Sequence, residues 1–538
     1  MNDQDRPDTD MQDPMAQAVL RAYREGQEDE ALEPIVAVDE SGTPLGRLKG
    51  GDYVIFYDIR GEREIQITES LIRPDFPHFP VQPNTILKFV TMIEYSEDLA
   101  VQVGFPPQGR VHNTLTEVVI GAGRRICKIS ESEKAVHVSY FMNGKNEGVY
   151  PGEERIVIPS PEGLDCYSSR PEMSACGVTD AILDKLQDAS CSLLVANLAN
   201  VDVVGHVENR EAVVRAVEAV DREVGRIVEA CRSRGVTLVI TADHGTVEDW
   251  LYSDGQVNTG HTRSEVPFVL LDFSRKNPDA IRVHTKGELG DVAPTVLELM
   301  GIQVPKEMTG QNLVEDAGPD LSSRDKVLLL ILDGWGLREE EHGNLIRQAR
   351  TPHFDAVWAG FPCARLQASG EAVGMPPNTV GNSESGHLHL GAGRRILLDR
   401  VRIDEAVADG SFFQNPAFRW AMDGAIQDGK ALHLLGIVSH YSSHGTIRHL
   451  FALLRLARDM GLEDVFVHAL IGRRGERPES GAVYVSKVAD MCRSFDVGRV
   501  VTVLGRFWAL DREENWDRIE KTYDALVRGE GTHVPISS

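Results

Sequence analysis

The sequence contains few cysteines, a deficit of basic residues and no long apolar run. Its 538 residues include only 7 cysteines, which show neither CxxC nor zinc-finger spacing. That pattern argues against a cysteine-based metal site or a disulfide framework, and it suits reduced thiols in a cytoplasmic protein. Apolar runs such as VLLLIL at 327–332 are far too short to span a membrane. We therefore expect a cytoplasmic protein with no membrane partner.

The charge balance is strongly acidic. The chain has 56 lysines and arginines against 82 aspartates and glutamates, for a formal net charge of −26. A surface of that sign repels nucleic acid and acidic lipids, so neither is expected as a partner. Any anion that the protein binds has to meet a local cluster of cations.

The N-terminal segment MNDQDRPDTDMQDP is acidic and polar, and it lacks the basic start and apolar centre of a secretory signal. We predict that residues 1–14 form a disordered acidic tail. Helical periodicity follows over residues 15–24 and again over residues 209–232. A chain of this length exceeds what one hydrophobic core usually organises, so we expect at least two domains.

Three apolar segments end in side chains that are able to bind a metal ion, and one more histidine precedes a fourth. Each of the three has the continuous apolar character of a buried parallel strand, and the carboxyl ends of such strands meet at one edge of an α/β sheet. The residues at these positions are Asp333 in LLLILDGWG, Asp243 and His244 in LVITADHG, Asp202 and His206 in LANVDVVGH, and His261 in TGHTRSEVPF.

The loop GNSESGHLHLGAG at 381–393 places Ser383 between glycines that let the backbone turn and approach a ligand closely. Taken alone, this segment is typical of a polar turn. A nucleophilic serine needs a general base or a metal ion to activate it. Ser383 and the strand-end aspartates and histidines are too many ligands for one ion that must also leave room for substrate. We therefore predict two divalent ions.

Motifs along nearly the whole chain carry a family resemblance. They are ILDGWG, GEAVGMP, GNSESGH, GAGRR, NLANVDVVGH, TADHG and GHTRSEVPF. Together they resemble the motifs of the cofactor-independent (2,3-bisphosphoglycerate-independent) phosphoglycerate mutases, members of the alkaline-phosphatase superfamily. In that family ILDGWG lies near the N-terminus and TADHG near the C-terminus, whereas here ILDGWG follows TADHG. The resemblance therefore implies a circularly permuted chain.

The resemblance implies an α/β fold with two domains. An alkaline-phosphatase-like metal-binding domain would be continuous over residues 108–397, with its first boundary at the two prolines of VGFPPQGR. A second, substrate-binding α/β domain with a parallel sheet would be split between residues 15–107 and 398–538. The connector at residues 301–326, rich in glycine, proline and charge, would join ends that are free in the unpermuted family.

The resemblance also implies interconversion of 3-phosphoglycerate and 2-phosphoglycerate through a phosphoserine at Ser383, in a monomer that needs no 2,3-bisphosphoglycerate. The two ions would be Mn²⁺, with Mg²⁺, Co²⁺ or Zn²⁺ as alternatives. One would lie among Asp202, His206 and His261, and the other among Asp333, Asp243, His244 and Ser383. The implied substrate-binding residues are Arg60, Arg63, Lys134, His444, Arg473, Arg506 and Arg512. In SESEKAVHVSYF, Lys134 is expected just before a strand.

Two segments depart from the family pattern. Arg474 stands where the family has an aspartate that handles the substrate hydroxyl, and residues 439–446 read SHYSSHGT in place of SDGGVHSH. Glu476 or His440 is a candidate replacement base. If the replacement base is poor, phosphoserine should still form but lose its phosphoryl group to water more often than to glycerate. The departures leave open a related metal-dependent phosphatase or phosphotransferase for another small phosphorylated substrate, and a non-catalytic regulatory homologue.

Overall fold

The fold is described from a computed structural model of the chain. It describes residues 12–82, 85–107, 109–161, 166–252, 255–274, 281–316, 324–439, 442, 444–472 and 479–536. The chain divides into two compact units. Unit 1 comprises Met1–Pro107 with Asp399–Ser538, and unit 2 comprises Gln108–Leu398. Each unit contains one eight-stranded sheet.

The strands, in chain order, are β1 (Ile35–Val38), β2 (Tyr53–Phe56), β3 (Lys88–Ile93), β4 (Gln102–Phe105), β5 (Ile126–Glu131), β6 (Glu153–Ile158), β7 (Leu193–Leu198), β8 (Thr237–Thr241), β9 (Val266–Asp272), β10 (Arg282–Val283), β11 (Lys286–Glu288), β12 (Val314–Asp316), β13 (Val327–Leu332), β14 (Cys363–Gln367), β15 (Leu432–Ile437), β16 (Val465–Ile471), β17 (Arg499–Gly505) and β18 (Thr532–Pro535).

The α-helices are α1 (Pro14–Arg24), α2 (Gly61–Ile72), α3 (Leu115–Gly121), α4 (Ala175–Lys185), α5 (Asn200–Gly205), α6 (Arg210–Arg234), α7 (Val292–Leu299), α8 (Leu345–Gln348), α9 (Pro352–Gly360), α10 (Ser383–Ala392), α11 (Asp399–Asp409), α12 (Pro416–Asp428), α13 (Ile447–Met460), α14 (Gly481–Phe495), α15 (Arg506–Ala509) and α16 (Trp516–Tyr523). Short 3₁₀ helices lie at Asp29–Ala31, Ser132–Lys134, Tyr167–Ser169, Leu289–Asp291, Gly370–Val373 and Ser411–Gln414, and π-helical turns lie at His137–Phe141 and Asp524–Arg528.

Both ends of the chain contribute strands to the sheet of unit 1. Its strand order is β18-β1-β17-β16-β15-β2-β3-β4. The strands from β17 to β4 run parallel, while β1 is antiparallel to β17. The N-terminal β2 pairs with the C-terminal β15, with Tyr53 opposite Leu432. Both strands are buried along their whole length, and their sequences are accordingly rich in apolar residues, with His433 as the exception in β15.

In unit 2 the strand order is β11-β14-β9-β8-β13-β7-β5-β6. Its central strand, β13, lies between β8 and β7 and is parallel to both. Ile331 of β13 is opposite Asn197 of β7 and Thr241 of β8. The three strands therefore end level with one another, and the residues that follow them emerge at one edge of the sheet.

Helix α6 illustrates how the local sequence sets an element. Asn209 caps its start by accepting a hydrogen bond from the Ala212 amide at 3.1 Å, and Gly235, with φ of +65°, ends it. The helix predicted over residues 209–232 is confirmed and extends two residues further. Its buried stripe contains Val213, Val217, Val220, Val224, Ile227 and Cys231.

Helix α1 begins one residue inside the segment that the sequence assigned to the tail. The Asp13 carboxylate accepts hydrogen bonds from the amides of Met15 and Ala16, both at 3.0 Å. Pro14 suits a first helical turn, where no intrahelical donor is needed. Asp13 and Pro14 therefore belong to the start of a helix, and residues 1–11 of the predicted tail lie outside the described residues.

The α/β fold class is confirmed, with two mostly parallel sheets. Each sheet also contains antiparallel pairing that the sequence did not predict, between β1 and β17 in unit 1 and between β9 and its neighbours β8 and β14 in unit 2. The prediction that Lys134 precedes a strand is wrong. Lys134 ends a 3₁₀ turn after β5, and the next turn, His137–Phe141, is helical. That turn packs against α10, and this tertiary contact outweighs the strand propensity of its β-branched and aromatic residues.

Among the described helices, none has both the length and the apolar character that a membrane crossing requires.

Candidate active site

Three aspartates converge at the carboxyl edge of the unit 2 sheet. Asp333 directly follows β13, Asp243 follows β8 after one intervening residue, and Asp202 lies in the first turn of α5, after β7. Each of the three is no more than 5% exposed. Burial disfavours a charged carboxylate, so a buried group of three requires cations beside it.

Two glycines allow the segments of this site to approach one another. Gly334 has φ of +80°, and a Cβ there would lie 2.8 Å from the Cα of Asp202. Gly386 lies in α10, where a Cβ would be 2.5 Å from the carbonyl oxygen of Asp243. A larger residue at either position would displace a segment that carries one of the aspartates.

Three histidines direct the same ring nitrogen into the site. In each of them Nδ1 faces a backbone carbonyl oxygen: His206 faces Thr259 at 2.7 Å, His261 faces Gly381 at 2.9 Å and His244 faces Gly245 at 3.2 Å. Because a carbonyl oxygen only accepts hydrogen bonds, each Nδ1 carries a proton, and in the neutral ring each Nε2 keeps its lone pair. Metal-binding imidazoles in proteins are oriented in this way.

The Nε2 atoms of these histidines lie beside the carboxylates. Those of His206 and His261 are 3.3 and 3.2 Å from Oδ1 of Asp202. When the His206 ring is protonated, Nε2 donates to Asp202, and this hydrogen bond raises the pKa of His206. Burial lowers the pKa of His261, but its hydrogen bond to Asp202 outweighs burial and the net shift is upward. Nε2 of His244 is 3.4 Å from Oδ2 of Asp243.

Ser383 is the first residue of α10. The side chain of Asn382 caps the helix by accepting a hydrogen bond from the Ser385 amide at 2.8 Å. The Oγ atom of Ser383 lies 2.8 Å from Nζ of Lys134 and 2.9 Å from Nε2 of His244. Both the N-terminus of a helix and the nearby Lys134 ammonium stabilise negative charge on this oxygen. The serine oxygen therefore lies where an alkoxide or a phosphoryl group would be stabilised.

The ammonium of Lys134 occupies the middle of the cluster. Nζ is 2.7 Å from Oδ2 of Asp202 and 2.6 Å from Oδ1 of Asp333, and the residue is 3% exposed. Burial disfavours the charged ammonium, but the attraction of Asp333, Asp202 and Asp243 outweighs it and raises the pKa of Lys134. Lys134 therefore remains positively charged.

One ammonium does not balance three buried carboxylates. Burial raises the pKa of Asp202 and of Asp243, but the attraction of Lys134 and the interactions of the neighbouring histidines outweigh burial and lower both pKa values. The pKa of Asp333 is raised, because burial and the neighbouring carboxylate of Asp243 act in the same direction. Oδ2 of Asp243 is buried and has no hydrogen-bond partner among the described residues. These oxygen and imidazole donors fit divalent cations such as Mn²⁺, Mg²⁺, Co²⁺ or Zn²⁺.

Two sets of ligand atoms in unit 2 have spacings that suit a metal ion, with the atoms of each set within 4.8 Å of one another. The sets are Asp202, His244 and His261, and Asp243, Asp333 and His387. His244 lies between them, since its Nε2 is 3.7 Å from both Asp202 and Asp333. All the aspartates and histidines predicted as ligands, together with Ser383, therefore lie close together. Their division between two ions stays a prediction.

His387 and Asn197 are site residues that the sequence analysis did not select. Nδ1 of His387 is 2.9 Å from the Ser383 carbonyl oxygen and 3.3 Å from Oδ2 of Asp243, and its Nε2 is 3.0 Å from the Asn197 amide. That amide also donates to Asp333 at 2.7 Å. The spacing of His387, four residues after Ser383 and thus on the same helical face, is the signal that was available.

In unit 1 the predicted anion-binding arginines are described except for Arg473, which lies outside the described residues. Arg60 and Arg512 both pair with Glu62, at 2.8 and 2.9 Å. Arg63 donates to a main-chain carbonyl at 3.1 Å. Arg60 and Arg512 have side chains that are 46% and 43% exposed, so they are accessible to an anion from solvent.

His444 lies beside a pair of buried carboxyl groups in unit 1. Asp58, Glu64 and His444 also have spacings that suit a metal ion. However, a guanidinium nitrogen of Arg506 is 3.0 Å from Nε2 of His444, so a positive charge is already in place. Burial lowers the pKa of His444 to about 3, and the nearby arginines, first among them Arg506, contribute. His444 is therefore a neutral imidazole here.

Arg474, which stands at the position of the family aspartate, and the two candidate replacement bases Glu476 and His440 lie outside the described residues.

Comparison with protein families matches both units. Residues 19–304 match the family model described as Metalloenzyme superfamily, and residues 403–537 match the model described as BPG-independent PGAM N-terminus. The match to an N-terminal module thus lies at the C-terminal end of this chain. This order is consistent with circular permutation.

Curated relatives carry the same description. The chain is 40% identical over 300 residues to the 2,3-bisphosphoglycerate-independent phosphoglycerate mutase of Moorella thermoacetica, a match that covers 56% of this chain and 57% of the relative. It is 41% identical over 298 residues to the 2,3-bisphosphoglycerate-independent phosphoglycerate mutase 1 of Methanosarcina acetivorans, covering 55% and 56%. The chain thus spans somewhat more than half the length of these relatives.

A crystal structure of Leishmania mexicana phosphoglycerate mutase at low cobalt concentration matches at 27% identity, covering 52% of this chain and 53% of that one. The TM-score of 0.36 is too low to support a structural argument. The family matches, by contrast, extend over more than half of the chain and over both units. The chain belongs to the metalloenzyme superfamily and, within it, to the family of BPG-independent phosphoglycerate mutases.

Proposed function

We propose that the protein interconverts 3-phosphoglycerate and 2-phosphoglycerate through a phosphoserine at Ser383. The observation that carries this proposal is the setting of the serine hydroxyl. Its Oγ lies at the N-terminus of α10, 2.8 Å from the Lys134 ammonium and 2.9 Å from Nε2 of His244. The names of the relatives, which are phosphoglycerate mutases, support the choice of substrate.

Two divalent ions are part of the proposal, with Mn²⁺ as the first choice and Mg²⁺, Co²⁺ or Zn²⁺ as alternatives. When bound, such a pair lowers the pKa of a serine hydroxyl and neutralises charge on phosphoryl oxygens. We assign one ion to Asp202, His206 and His261, and the other to Asp333, Asp243, His244 and Ser383. The three Nε2 lone pairs and the unpartnered Asp243 oxygen support this assignment.

The residues of unit 2 carry the phosphoryl transfer. In the first half-reaction Oγ of Ser383 attacks the phosphorus of 3-phosphoglycerate, and the bond from phosphorus to O3 breaks. In the second, O2 of the glycerate attacks the phosphoserine, and the bond from phosphorus to Oγ breaks. Lys134 stabilises negative charge on the transferring group. His387, bonded to the Ser383 carbonyl, holds the serine in place.

The residues of unit 1 bind the anionic groups of the substrate. Arginine suits this task because its planar guanidinium binds carboxylate or phosphate through two hydrogen bonds. We assign this anion-binding role to Arg60, Arg63, Arg506 and Arg512, together with His444. Arg473 belongs to the same predicted set. A small phosphoglycerate is the only partner proposed. A monomer in the cytoplasm stays a prediction.

A metal-dependent phosphatase or phosphotransferase for another small phosphorylated substrate is the second candidate. Arg474 supports it, because it stands where the family has an aspartate that handles the substrate hydroxyl. A non-catalytic homologue is less well supported, since the predicted metal ligands and Ser383 are all present and close together.

Phosphorus NMR distinguishes the candidates, because it separates both phosphoglycerates from inorganic phosphate in one spectrum. The Mn²⁺-loaded protein is incubated with 3-phosphoglycerate and no 2,3-bisphosphoglycerate. We expect 2-phosphoglycerate to accumulate to equilibrium, and we expect Ser383→Ala to produce none. Ser385→Ala is the matched control, since its hydroxyl contacts the Val373 carbonyl at 2.9 Å and Nδ1 of His389 at 3.4 Å rather than a predicted ligand. Inorganic phosphate as the sole product would favour the phosphatase instead.

A further inference from the structure

A histidine in unit 1 is held between an arginine and a buried glutamate. Nδ1 of His444 is 2.8 Å from Oε1 of Glu64, and Nε2 is 3.0 Å from a guanidinium nitrogen of Arg506. A guanidinium only donates hydrogen bonds, so Nε2 accepts and Nδ1 carries the proton. The imidazole therefore donates to Glu64 and presents a lone pair on its other side.

Glu64 is buried together with a second carboxyl group. Glu64 lies in α2, and Asp58 lies shortly after the end of β2. Both residues are 0% exposed. Oδ1 of Asp58 accepts from the Ile437 amide at 2.8 Å, while Oδ2 is buried without a hydrogen-bond partner among the described residues. A Cβ added at Gly436 would lie 2.7 Å from Oδ1, so the backbone closes tightly over this carboxyl group.

The positive charges near Asp58 and Glu64 do not offset the effect of burial on their pKa values. Burial raises the pKa of Asp58 to about 8, and burial followed by the repulsion of Asp58 raises the pKa of Glu64. The pair therefore holds a proton at neutral pH, next to a neutral imidazole. The other titratable or charged groups that act on these residues are Arg506, Arg60, Arg63, Tyr57 and Tyr95, and Glu30 acts on Arg506.

A packing role does not explain this arrangement, because apolar side chains of similar size would fill the space without burying acidic groups. A buried carboxyl group bonded to one imidazole nitrogen, with the other nitrogen facing an anion-binding arginine, is instead arranged to move a proton through the ring. The sequence suggested Glu476 or His440 as the base, and both lie outside the described residues. Glu64 was not considered, because a glutamate within a helix reads as a solvated charge.

We propose that His444 exchanges protons with the hydroxyl oxygens of the phosphoglycerate, and that Glu64 is its positioning residue and the store of that proton. This inference rests on the proposed function. It supplies the acid and base that the replacement of the family aspartate by Arg474 leaves unassigned. Arg506 releases Nε2 when its guanidinium binds an anionic group of the substrate.

The proton returns to its origin over one turnover. Once Arg506 has released Nε2, the ring proton moves from Nδ1 to Nε2, and Nδ1 accepts a hydrogen bond from the protonated carboxyl group of Glu64. In the first half-reaction the ionised Oγ of Ser383 attacks phosphorus and the bond from O3 to phosphorus breaks, while Nε2 gives its proton to O3 and Glu64 gives its proton to Nδ1. In the second, O2 attacks phosphorus and Oγ leaves in its ionised form, while Nε2 takes the proton of the O2 hydroxyl and Nδ1 returns its proton to Glu64. No other acid, base or redox partner is required.

The test compares Glu64→Gln with the wild type, both loaded with Mn²⁺. The amide has the size of the carboxyl group but cannot store the proton, so we expect the mutase kcat to fall by about 10²–10⁴-fold, with KM for 3-phosphoglycerate changed by less than about threefold. Wild-type activity should also decline as the pH rises through the range in which the carboxyl pair loses its proton, and this decline should be absent in Glu64→Gln. Glu69→Gln, on the same helix and paired with Arg73 at 3.6 Å, is the control.

The outcomes separate this inference from the proposed function. A wild type that neither forms phosphoserine nor turns over would end the proposed function. If the wild type is active and Glu64→Gln is equally active, the inference alone would be overturned. The same holds if Glu64→Gln keeps the pH profile of the wild type. If Glu64→Gln does not fold, His444→Gln takes its place with the same expected loss of kcat. Wild-type turnover in that folded variant would overturn the inference as well.

Discussion

The two units each bury carboxyl groups beside histidine, but the effect on the acids is opposite. In unit 2, the attraction of Lys134 and the interactions of the neighbouring histidines outweigh burial and lower the pKa values of Asp202 and Asp243. In unit 1, burial prevails and raises the pKa values of Asp58 and Glu64, because the nearby guanidinium of Arg506 bonds to His444 rather than to a carboxyl group of the pair. Asp333 is the exception in unit 2, because burial and the neighbouring carboxylate of Asp243 raise its pKa although the Lys134 ammonium is 2.6 Å away.

The difference indicates two tasks for similar residues. Ionised carboxylates with imidazole lone pairs beside them attract further cations, which is what a metal centre needs. Carboxyl groups that keep a proton near neutral pH, bonded to a neutral imidazole, are suited to acid and base chemistry. We therefore expect bound metal to change the stability and activity that depend on the unit 2 cluster. We expect pH to change those that depend on the unit 1 cluster.

Removal of metal should have the largest effect. Exhaustive chelation should reduce turnover to background, and addition of Mn²⁺ should restore it. Bound ions at 100 to 1,000 times their Kd should also stabilise the folded chain by about 3–4 kcal/mol per site. Hydrogen exchange measured by mass spectrometry should localise this stabilisation to β7, β8 and β13. Full activity after chelation, with metal analysis confirming its absence, would contradict the metal assignment.

Two buried lysines of unit 2 offer the next comparison. Lys134→Met leaves the aspartate cluster without its ammonium, and breaking a buried ion pair in this way should cost about 3–5 kcal/mol in metal-free protein. Added Mn²⁺ should recover much of that loss, because it supplies the missing charge. Thermal unfolding with and without Mn²⁺ measures both effects.

Lys128→Met is the matched control, since Lys128 is equally buried and pairs with Glu153 at 3.3 Å, away from the predicted ligands. Its loss of stability should not depend on Mn²⁺. Equal recovery of both variants by Mn²⁺ would contradict a specific role for Lys134 at the metal site.

The pH dependence of unit 1 should show a smaller effect for each pH unit. Since the folded pKa of Asp58 is raised to about 8, the native state keeps a proton that the unfolded chain gives up. Stability should therefore fall as pH rises from about 4 to about 8, by at most about 1.4 kcal/mol per pH unit for one proton. Asp58→Asn should flatten this slope, and Asp98→Asn, at an exposed position of the same unit, should leave it unchanged.

Hydrogen exchange at β2 and β15, corrected for the intrinsic effect of pH, measures this slope for unit 1 alone. A slope of the opposite sign, or one that survives Asp58→Asn in full, would show that Asp58 is ionised in the native state.

The fold class and the main cluster were predictable because they depend on short segments. Runs such as VLLLIL specify buried parallel strands, and parallel strands place the residues after them at one edge. Lys134 was placed wrongly before a strand, since contact with α10 decides the conformation of the next turn. The antiparallel strands β1 and β9 depend on pairing partners that no local pattern identifies.

The carboxyl pair of unit 1 was not predictable for a similar reason. Glu64 lies among charged residues at the start of α2, where the sequence suggests exposure. Its burial and its bond to His444 arise because β2 pairs with β15, which brings residues from opposite ends of the chain together. Long-range pairing of this kind is invisible to periodicity and composition.

The most direct test of the account is the intact mass of the protein after brief mixing with 3-phosphoglycerate and Mn²⁺. Wild type should gain the mass of one phosphoryl group, and fragmentation should place it on Ser383. Ser385→Ala should gain it too, and Ser383→Ala should not. A wild type that converts 3-phosphoglycerate to 2-phosphoglycerate at the same rate as Ser383→Ala, with no phosphorylated protein in either sample, would contradict the central claim.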